Sequence, residues 1–161
     1  PRADIGRYVP DSSSVSFRFW GERLFGENIT AVGEAPHTTP SGNAAQLVQG
    51  IVNDPYALGV LDYAFYKQNA GGLKLVSINK VLPTIQTVGD GSYILAQPLY
   101  LYVDKLRLQR VLPLNNFLTF YIEQAELVAP QVGLFPAPEA MKEEAKRKLL
   151  IPKTQYGAKK P

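Results

Sequence analysis

Helical and extended segments alternate along this 161-residue chain, and this alternation limits the possible folds more than any other feature. Apolar residues recur at helical spacing in some stretches, and short apolar runs bounded by Pro and Gly lie between them. Such an order buries its apolar surfaces best when helices pack on a parallel sheet. We therefore expect an α/β fold with a partly parallel sheet. Helices are predicted at residues 14–25, 44–53, 117–129 and 139–150, and extended segments within 56–66, 73–79 and 81–104.

Glycine and proline mark where these elements end or approach each other. Residues 29–43, ITAVGEAPHTTPSGN, are rich in Pro, Thr, Ser and Gly and are predicted to form a long loop. Gly59 lies inside an apolar run, which predicts a short buried strand with a close backbone approach. A Gly-Asp-Gly turn at residues 89–91 is predicted to separate two extended segments within residues 81–104.

A cluster of small polar residues precedes the first predicted helix, in RYVPDSSSVSFRFWGERLFG, residues 7–26. Phe17, Trp20 and Leu24 then recur on one helical face. Ser14 is well placed to accept a hydrogen bond as the N-cap, and Gly26 can end the helix. The pattern predicts a helix from Ser14 to about Phe25.

The same serines allow a second interpretation. The first N–H groups of a helix have no partner within the helix and carry a partial positive charge, so an anion can bind there. Ser14 and Ser16 would add hydroxyl donors on either side of Val15. The residues alone leave both interpretations open: a helix cap, or a phosphate or sulfate site.

Composition and motifs exclude most catalytic chemistry. The chain has no Cys and a single His, His37, which lies in the Pro/Thr-rich loop, so a zinc site is not indicated. No nucleophile elbow, no glycine-rich phosphate loop and no paired acid–base carboxylates are present. We predict no enzyme activity, no metal and no cofactor. Basic patches interleaved with aromatics, as in nucleic-acid binders, are absent, and no apolar run reaches 18 residues, so no transmembrane segment is predicted.

The net charge of +3 comes from the C-terminal region. Residues 139–161 contain seven Lys/Arg and three Glu, a net charge of +4, which leaves a net charge of −1 for the rest. This region either is a solvated helix with a polar end or contacts an acidic partner. The chain begins with Pro and not Met, from which we expect a processed protein or a fragment.

Several segments, in order, resemble the substrate-binding protein of the phosphate-specific ABC transporter. SSVSFRFW, residues 13–20, is similar to that family's D-S-G-T-F-x-F-F segment at the start of a helix. Residues 42–79 resemble its run of helix, A-x-G-Y-x-x-Y-A-Y motif and strand. DGSYILAQPLYLYV, residues 90–103, resembles its DGSYPLSRPLFIYV segment, and residues 117–138 resemble its late helix and VGYVPLP stretch. The resemblance extends from about Asp11 to Ala137.

The resemblance implies a type II periplasmic-binding-protein-like lobe with an incomplete second lobe. Residues 1–80 would belong to lobe two of a hinged protein that closes around one phosphate. Residues 81–138 would cross the hinge and supply late elements of lobe one, and residues 139–161 would form a basic C-terminal helix and tail. The family's chain is about twice as long, so this chain would correspond to its C-terminal half only. The partner would then be the missing N-terminal half or other protein subunits.

The resemblance also implies candidate ligands for phosphate: Ser14, Val15 and Ser16. The two serines match the family's Ser and Thr, but Val15 replaces a Gly, and its side chain is expected to crowd a site where backbone approaches the ligand. The carboxylate with which the family accepts a proton from phosphate, and so rejects sulfate, lies in the half that this chain lacks.

A second departure concerns the positive charge of the site. Pro10 stands where many members have an Arg, and Arg7 and Arg18 are near but not at the matching place. Two functions therefore remain open. The chain is part of a phosphate-binding protein of an ABC transporter, exported to the periplasm or cell surface, or it is an accessory subunit of a larger complex that reuses the fold without phosphate binding.

Overall fold

A computed structural model of the chain describes residues 3–150 and divides it into two compact units after Gln97. The first unit is built on a three-stranded parallel sheet. Strand β1 (Gly6–Pro10) lies in the middle, between β2 (Thr38–Ser41) and β3 (Ala57–Gly59), with Arg7 opposite Thr38 on one side and Leu58 on the other. The parallel sheet confirms the predicted α/β class.

Five helices accompany this sheet. In chain order they are α1 (Val15–Phe25), α2 (Thr30–Glu34), α3 (Ala44–Asn53), α4 (Tyr63–Gln68) and α5 (Ile85–Gly89), with a 3-10 helix at Gly26–Asn28. The predicted ranges of α1 and α3 are confirmed, and each helix begins after a side-chain N-cap. Ser14 Oγ accepts from Phe17 N, and Asn43 Oδ1 accepts from the N–H groups of Ala45 and Gln46.

The core of the first unit lies between β1, α1 and α2. Val9, Phe17, Trp20 and Val32 are buried, and the Phe17 and Trp20 rings meet edge to face at 5.7 Å. This geometry suits the quadrupoles of the two rings. Leu24 was expected on the same apolar face but is 40% exposed, since the buried stripe of α1 ends at Gly21.

The second unit, as far as Leu150, consists of helices. They are α6 (Lys105–Arg110), α7 (Leu112–Val128) and α8 (Glu139–Leu149), with a 3-10 helix at Ala129–Val132. The α8 prediction is confirmed. Helix α7 begins at Leu112, five residues before the predicted start at residue 117, because Pro113 in the first turn has its φ preset for a helix. Among the described residues of this unit, Leu108 and Leu118 are the buried large apolar side chains.

Three predictions for irregular and extended segments are wrong. Residues 29–43 are not one long loop, because they contain the helix α2 and the strand β2. The backbone of β2 pairs with that of β1. Residues 73–79 form no strand; an isolated bridge joins Ile78 to Val81 around two residues with positive φ. Residues 81–104 are not two strands, because a capping box between Thr84 and Thr87 starts α5.

The run at residues 56–66 has a mixed outcome. It begins as the predicted strand, β3, but Leu58 is exposed, so the strand is not buried. The predicted close approach at Gly59 is confirmed: a Cβ there would lie 2.2 Å from Ile51 Cδ1 and 3.1 Å from Tyr8 O. The assignment of residues 1–80, 81–138 and 139–161 to lobes stays a prediction.

A matched pair of helical glycines tests this packing. A Cβ on Gly50 in α3 would lie 2.2 Å from Tyr8 Cε1, whereas a Cβ on Gly33 in α2 would meet nothing within 4 Å. Gly33→Ala should stabilise the chain by up to about 1 kcal/mol through helix propensity. Gly50→Ala should destabilise it by about 1–2 kcal/mol, because overpacking outweighs that gain. Urea unfolding midpoints measure both, and equal stabilisation by the two variants would contradict the packing described.

The second unit contains an ion-pair network that predicts a pH dependence. Lys142 Nζ lies 2.7 Å from Glu126 Oε2 and 2.6 Å from Glu139 Oε2. Hydrogen bonds to Glu126 and then Glu139 raise the pKa of Lys142 above its ordinary 10.5. The hydrogen bond from Lys142 lowers the pKa of Glu139 below its ordinary 4.5.

The signs of the two shifts define where the network stabilises the fold. The Glu139 contribution is complete above pH 4.5 and is lost as the pH falls through its lowered pKa. The Lys142 contribution is complete below pH 10.5 and is lost as the pH rises through its raised pKa. The unfolding midpoint of Lys142→Met should therefore lie below that of the parent chain by a constant amount between pH 4.5 and pH 10.5. At more acidic and at more alkaline pH the two midpoints should converge. Lys105→Met, which removes an exposed cation with no recorded ion pair, is the control.

Candidate anion-binding site

A small cavity opens where the three parallel strands end. Its volume is about 80 Å³, and it lies next to the ends of β1 and β2 and the residues that follow β3. In open α/β sheets the ligand crevice lies outside the carboxyl ends of the strands, where the strand order changes direction, as it does in the order β2-β1-β3. The cavity is lined by Pro10, Ser14, Ser16, Ser41, Gly42, Ala44, Leu47, Val60, Leu61 and Asp62.

The loops after β1 and β2 are held together beside this cavity. Asp11 N donates to Ser41 O at 3.2 Å, and Asp11 Oδ2 would lie 2.7 Å from a Cβ on Gly42. The other oxygen of this carboxylate accepts from the backbone N–H and the hydroxyl of Ser13, at 3.0 and 2.6 Å. These contacts bring the starts of α1 and α3 to the same end of the sheet.

Ser14 acts as the helix cap. Its Oγ accepts a hydrogen bond from Phe17 N at 3.0 Å and lines the cavity. The cap uses Oγ only as an acceptor, so its O–H can still donate to a ligand. The cap and anion interpretations are thus compatible at this residue.

Val15 and Ser16 differ in what they offer to the cavity. As the first two residues of α1, both have backbone N–H groups that no intrahelical carbonyl can accept. Val15 is 75% exposed and does not line the cavity, and its expected crowding of a bound anion stays a prediction. Ser16 lines the cavity, and its hydroxyl donates to Asp62 Oδ1 at 2.9 Å.

Asp62 and Ser41 also line the cavity, and the sequence analysis did not name them as candidates. Asp62 lines the cavity at the N-cap position of α4. Its carboxylate makes no capping hydrogen bond and accepts from the Ser16 hydroxyl instead. Ser41 ends β2 and donates to Gln46 Oε1 at 2.8 Å. The Ser-Gly-Asn sequence before α3 could have indicated Ser41, because it repeats the polar entry into a helix seen at Ser14.

The described residues place no Lys or Arg side chain in the cavity wall. Arg7 lines a different cavity, of about 190 Å³, and its guanidinium donates to Pro36 O. Arg18 is exposed on α1 and does not line the cavity. The positive charge here comes from the helix starts, where α1 has no acidic residue in its first turn.

His37 lies outside this site. It is exposed, has a φ of 58°, and its Nε2 is 3.5 Å from Asp4 Oδ2. No group of three or more His, Cys, Asp or Glu with metal-binding geometry occurs among residues 3–150. No helix in that range has the length and apolar character required to cross a membrane.

Comparison with known proteins identifies relatives over most of the chain. It is 33% identical to Protein SphX of Synechocystis over 144 residues, 86% of this chain and 42% of that protein. It is 27% identical to the phosphate-binding protein PstS of Staphylococcus saprophyticus over 154 residues, 92% of this chain and 46% of that protein. No protein-family model matches.

A solved structure shares the fold. It is described as that of a possible phosphate binding protein from Planctomyces limnophilus, and it matches with a TM-score of 0.66 and 30% identity over 92% of this chain and 54% of its own. The chain is a homologue of part of these proteins. It spans less than half the length of the curated relatives it matches. The resemblance to the phosphate-binding protein family and the expected lobe-like α/β fold are thereby confirmed.

The cap at Ser14 generates a stability prediction. Ser14→Ala removes the acceptor for Phe17 N and should destabilise the chain by about 1 kcal/mol. Ser14→Asp keeps an acceptor at this position and should stay within about 0.5 kcal/mol of the parent chain. Ser12→Ala, at an exposed serine in the same cluster, is the control for changes in the loop. Equal unfolding free energies for Ser14→Ala and Ser12→Ala would show that the cap does not stabilise the helix.

Proposed function

We propose that this chain forms one side of a phosphate site in a non-catalytic phosphate-binding protein. The observation that carries the proposal is the cavity at the strand ends, where α1 and α3 begin and which Ser14 and Ser16 line. The relatives that share this fold support the ligand, since one is a phosphate-binding protein by name and another is described as a possible one.

The donors available to an oxyanion come mainly from the start of α1. They are the N–H groups of Val15 and Ser16 at the start of α1 and the O–H of Ser14. Ser14 and Ser16 line the cavity, and Val15 lies between them in the chain. Hydrogen bonds to a charged group contribute about 1.5–3 kcal/mol each, but a site open to water retains only part of this. A dissociation constant of about 1 mM corresponds to about 4 kcal/mol, so we expect binding by this chain alone to be millimolar or weaker.

Asp62 opposes an anion in the cavity. Its carboxylate is negative and lies beside the Ser16 hydroxyl, so it repels an incoming phosphate and also engages one of the potential donors. No described cation in the cavity wall offsets this repulsion. A complete site therefore needs positive groups or further donors from elsewhere, which agrees with a second half of the protein as the partner.

The proposed role in the cell follows from the relatives. We infer an exported receptor, at the periplasm or cell surface, that delivers phosphate to an ABC transporter. The accessory-subunit hypothesis is less favoured, because the homologues include proteins named for phosphate binding.

Titration of the isolated chain with inorganic phosphate tests this proposal. We expect millimolar or weaker binding, lost in the Ser14→Ala, Ser16→Ala double variant. Asp62→Asn removes the opposing charge and keeps an oxygen that can accept from Ser16, so it should tighten binding about five- to tenfold. Glu34→Gln, an exposed charge change in the same unit, should have no effect.

Two results would contradict the proposal. Equal phosphate binding by the parent chain and the double serine variant would show that the start of α1 is not the site. Micromolar binding by the isolated chain that depends on both serines would show a complete receptor site and not one side of it.

A further inference from the structure

The carboxylate of Asp62 accepts its hydrogen bond from a distant residue and not from its own helix. Asp62 is the N-cap residue of α4, and its backbone has a φ of −64° and a ψ of 143°, the extended geometry that N-cap residues adopt. Its backbone oxygen accepts from the N–H groups of Phe65 and Tyr66, so the first turn of α4 is formed. The side chain nevertheless makes no capping hydrogen bond and accepts from Ser16 Oγ at 2.9 Å.

Asp104 in the same chain shows the alternative position of such a side chain. It is the N-cap residue of α6, which has six residues like α4, and its φ of −66° and ψ of 121° are similar to those of Asp62. Its Oδ1 accepts from Arg107 N, the third residue of α6, at 2.9 Å. Backbone geometry and helix length therefore do not explain why Asp62 leaves α4 uncapped. The difference is the Ser16 hydroxyl, which competes for the carboxylate.

The partners that a cap on α4 needs are available. Ala64 and Phe65 are the second and third residues of α4, whose N–H groups an N-cap side chain accepts from. No carbonyl within the helix can accept from Ala64 N, and among residues 3–150 no acceptor for it is recorded. Because the backbone of Asp62 already has N-cap geometry, rotation of its side chain alone would bring the carboxylate to these groups.

An anion in the cavity would favour this rotation for two reasons. Asp62 and Ser16 both line the cavity, so an anion there repels the carboxylate and competes with it for the Ser16 O–H. The start of α4 carries a partial positive charge, which stabilises a carboxylate placed on it. One rotation thus frees a hydroxyl donor for the ligand and gives the negative charge of Asp62 other partners.

We propose that the Asp62 side chain has two positions and that phosphate selects between them. In the structure described here it accepts from Ser16; when phosphate binds, it turns to cap α4, and the Ser16 hydroxyl donates to the ligand. This inference rests on the proposed phosphate site and adds a conformational device to it, in which anion binding is coupled to the stability of α4. A ligand shifts such an equilibrium only through its different affinity for the two positions, and here the difference is one donor and one repulsive charge.

The first test needs no phosphate. Ser16→Ala removes the competing donor, so Asp62 should cap α4 in the absence of any ligand. Amide hydrogen exchange at Ala64 and Phe65, followed by heteronuclear NMR, should slow about three- to tenfold relative to the parent chain. Ser41→Ala is the control, because Ser41 also lines the cavity but its hydroxyl donates elsewhere, so exchange at the two amides should not change.

The second test adds inorganic phosphate to the parent chain, with sodium chloride of equal ionic strength as the reference. Phosphate should slow exchange at Ala64 and Phe65 as Ser16→Ala does, and it should shift the amide resonance of Val15 at the start of α1. Asp62→Ala lacks the moving side chain. In this variant phosphate should still shift the Val15 resonance but should no longer slow exchange at the two α4 amides.

Four outcomes would overturn the inference. Unchanged exchange at Ala64 and Phe65 in Ser16→Ala would show that the carboxylate has no second position. A phosphate effect on these amides that persists in Asp62→Ala would show that the ligand, and not Asp62, acts on α4. A response at Val15 without one in α4 would refute the switch and leave the proposed phosphate site intact. No response at Val15 would refute the proposed site, and the phosphate-driven switch with it.

Discussion

The parallel pairing of β1 with a strand on each side is the interaction on which the candidate site depends. Gly6–Pro10 accepts β2 on one edge and β3 on the other, so three strands end at one side of the sheet. Each strand is followed within a few residues by the start of a helix, and the cavity lies at this common end. Strand β1 brings Ser14, Ser41 and Asp62 close together, because it pairs with β2, which ends at Ser41, and with β3, which Asp62 follows.

At the start of α1, the cap at Ser14 is compatible with the proposed anion binding. Ser14 accepts from Phe17 N as a cap and keeps its O–H for a ligand, so helix stability does not conflict with anion binding there. Ser16 is different, because its hydroxyl already donates to Asp62. The charge of Asp62 makes this cavity less favourable to anions than the serines alone would suggest, and it is the feature in which the site departs most from a simple helix-start anion site.

The helices of ten or more residues were predicted from sequence more accurately than the strands, whereas the short helices α2, α4, α5 and α6 were not predicted. Helices α1, α3 and α8 have local signals, namely a cap, an apolar period or a favourable charge order, that act within a few residues. The central strand β1 was missed, because Gly-Arg-Tyr-Val-Pro has neither alternation nor length to distinguish it. Residues 73–79 show the opposite error, since their alternation predicts a strand but no neighbouring strand pairs with them beyond the bridge at Ile78.

The sequence by itself determined the cap at Ser14, the ends of α1 and α3 and the close approach at Gly59. Each of these depends on residues a few positions apart or on side-chain chemistry that any fold must accommodate. Only the tertiary structure decided that Ser41 and Asp62 join Ser14 and Ser16, that Val15 does not line the cavity, and that Arg7 lines a different one. The physical reason is distance along the chain: Ser16 and Asp62 are 46 residues apart, and their contact depends on how the sheet orders three strands, which local sequence patterns do not encode.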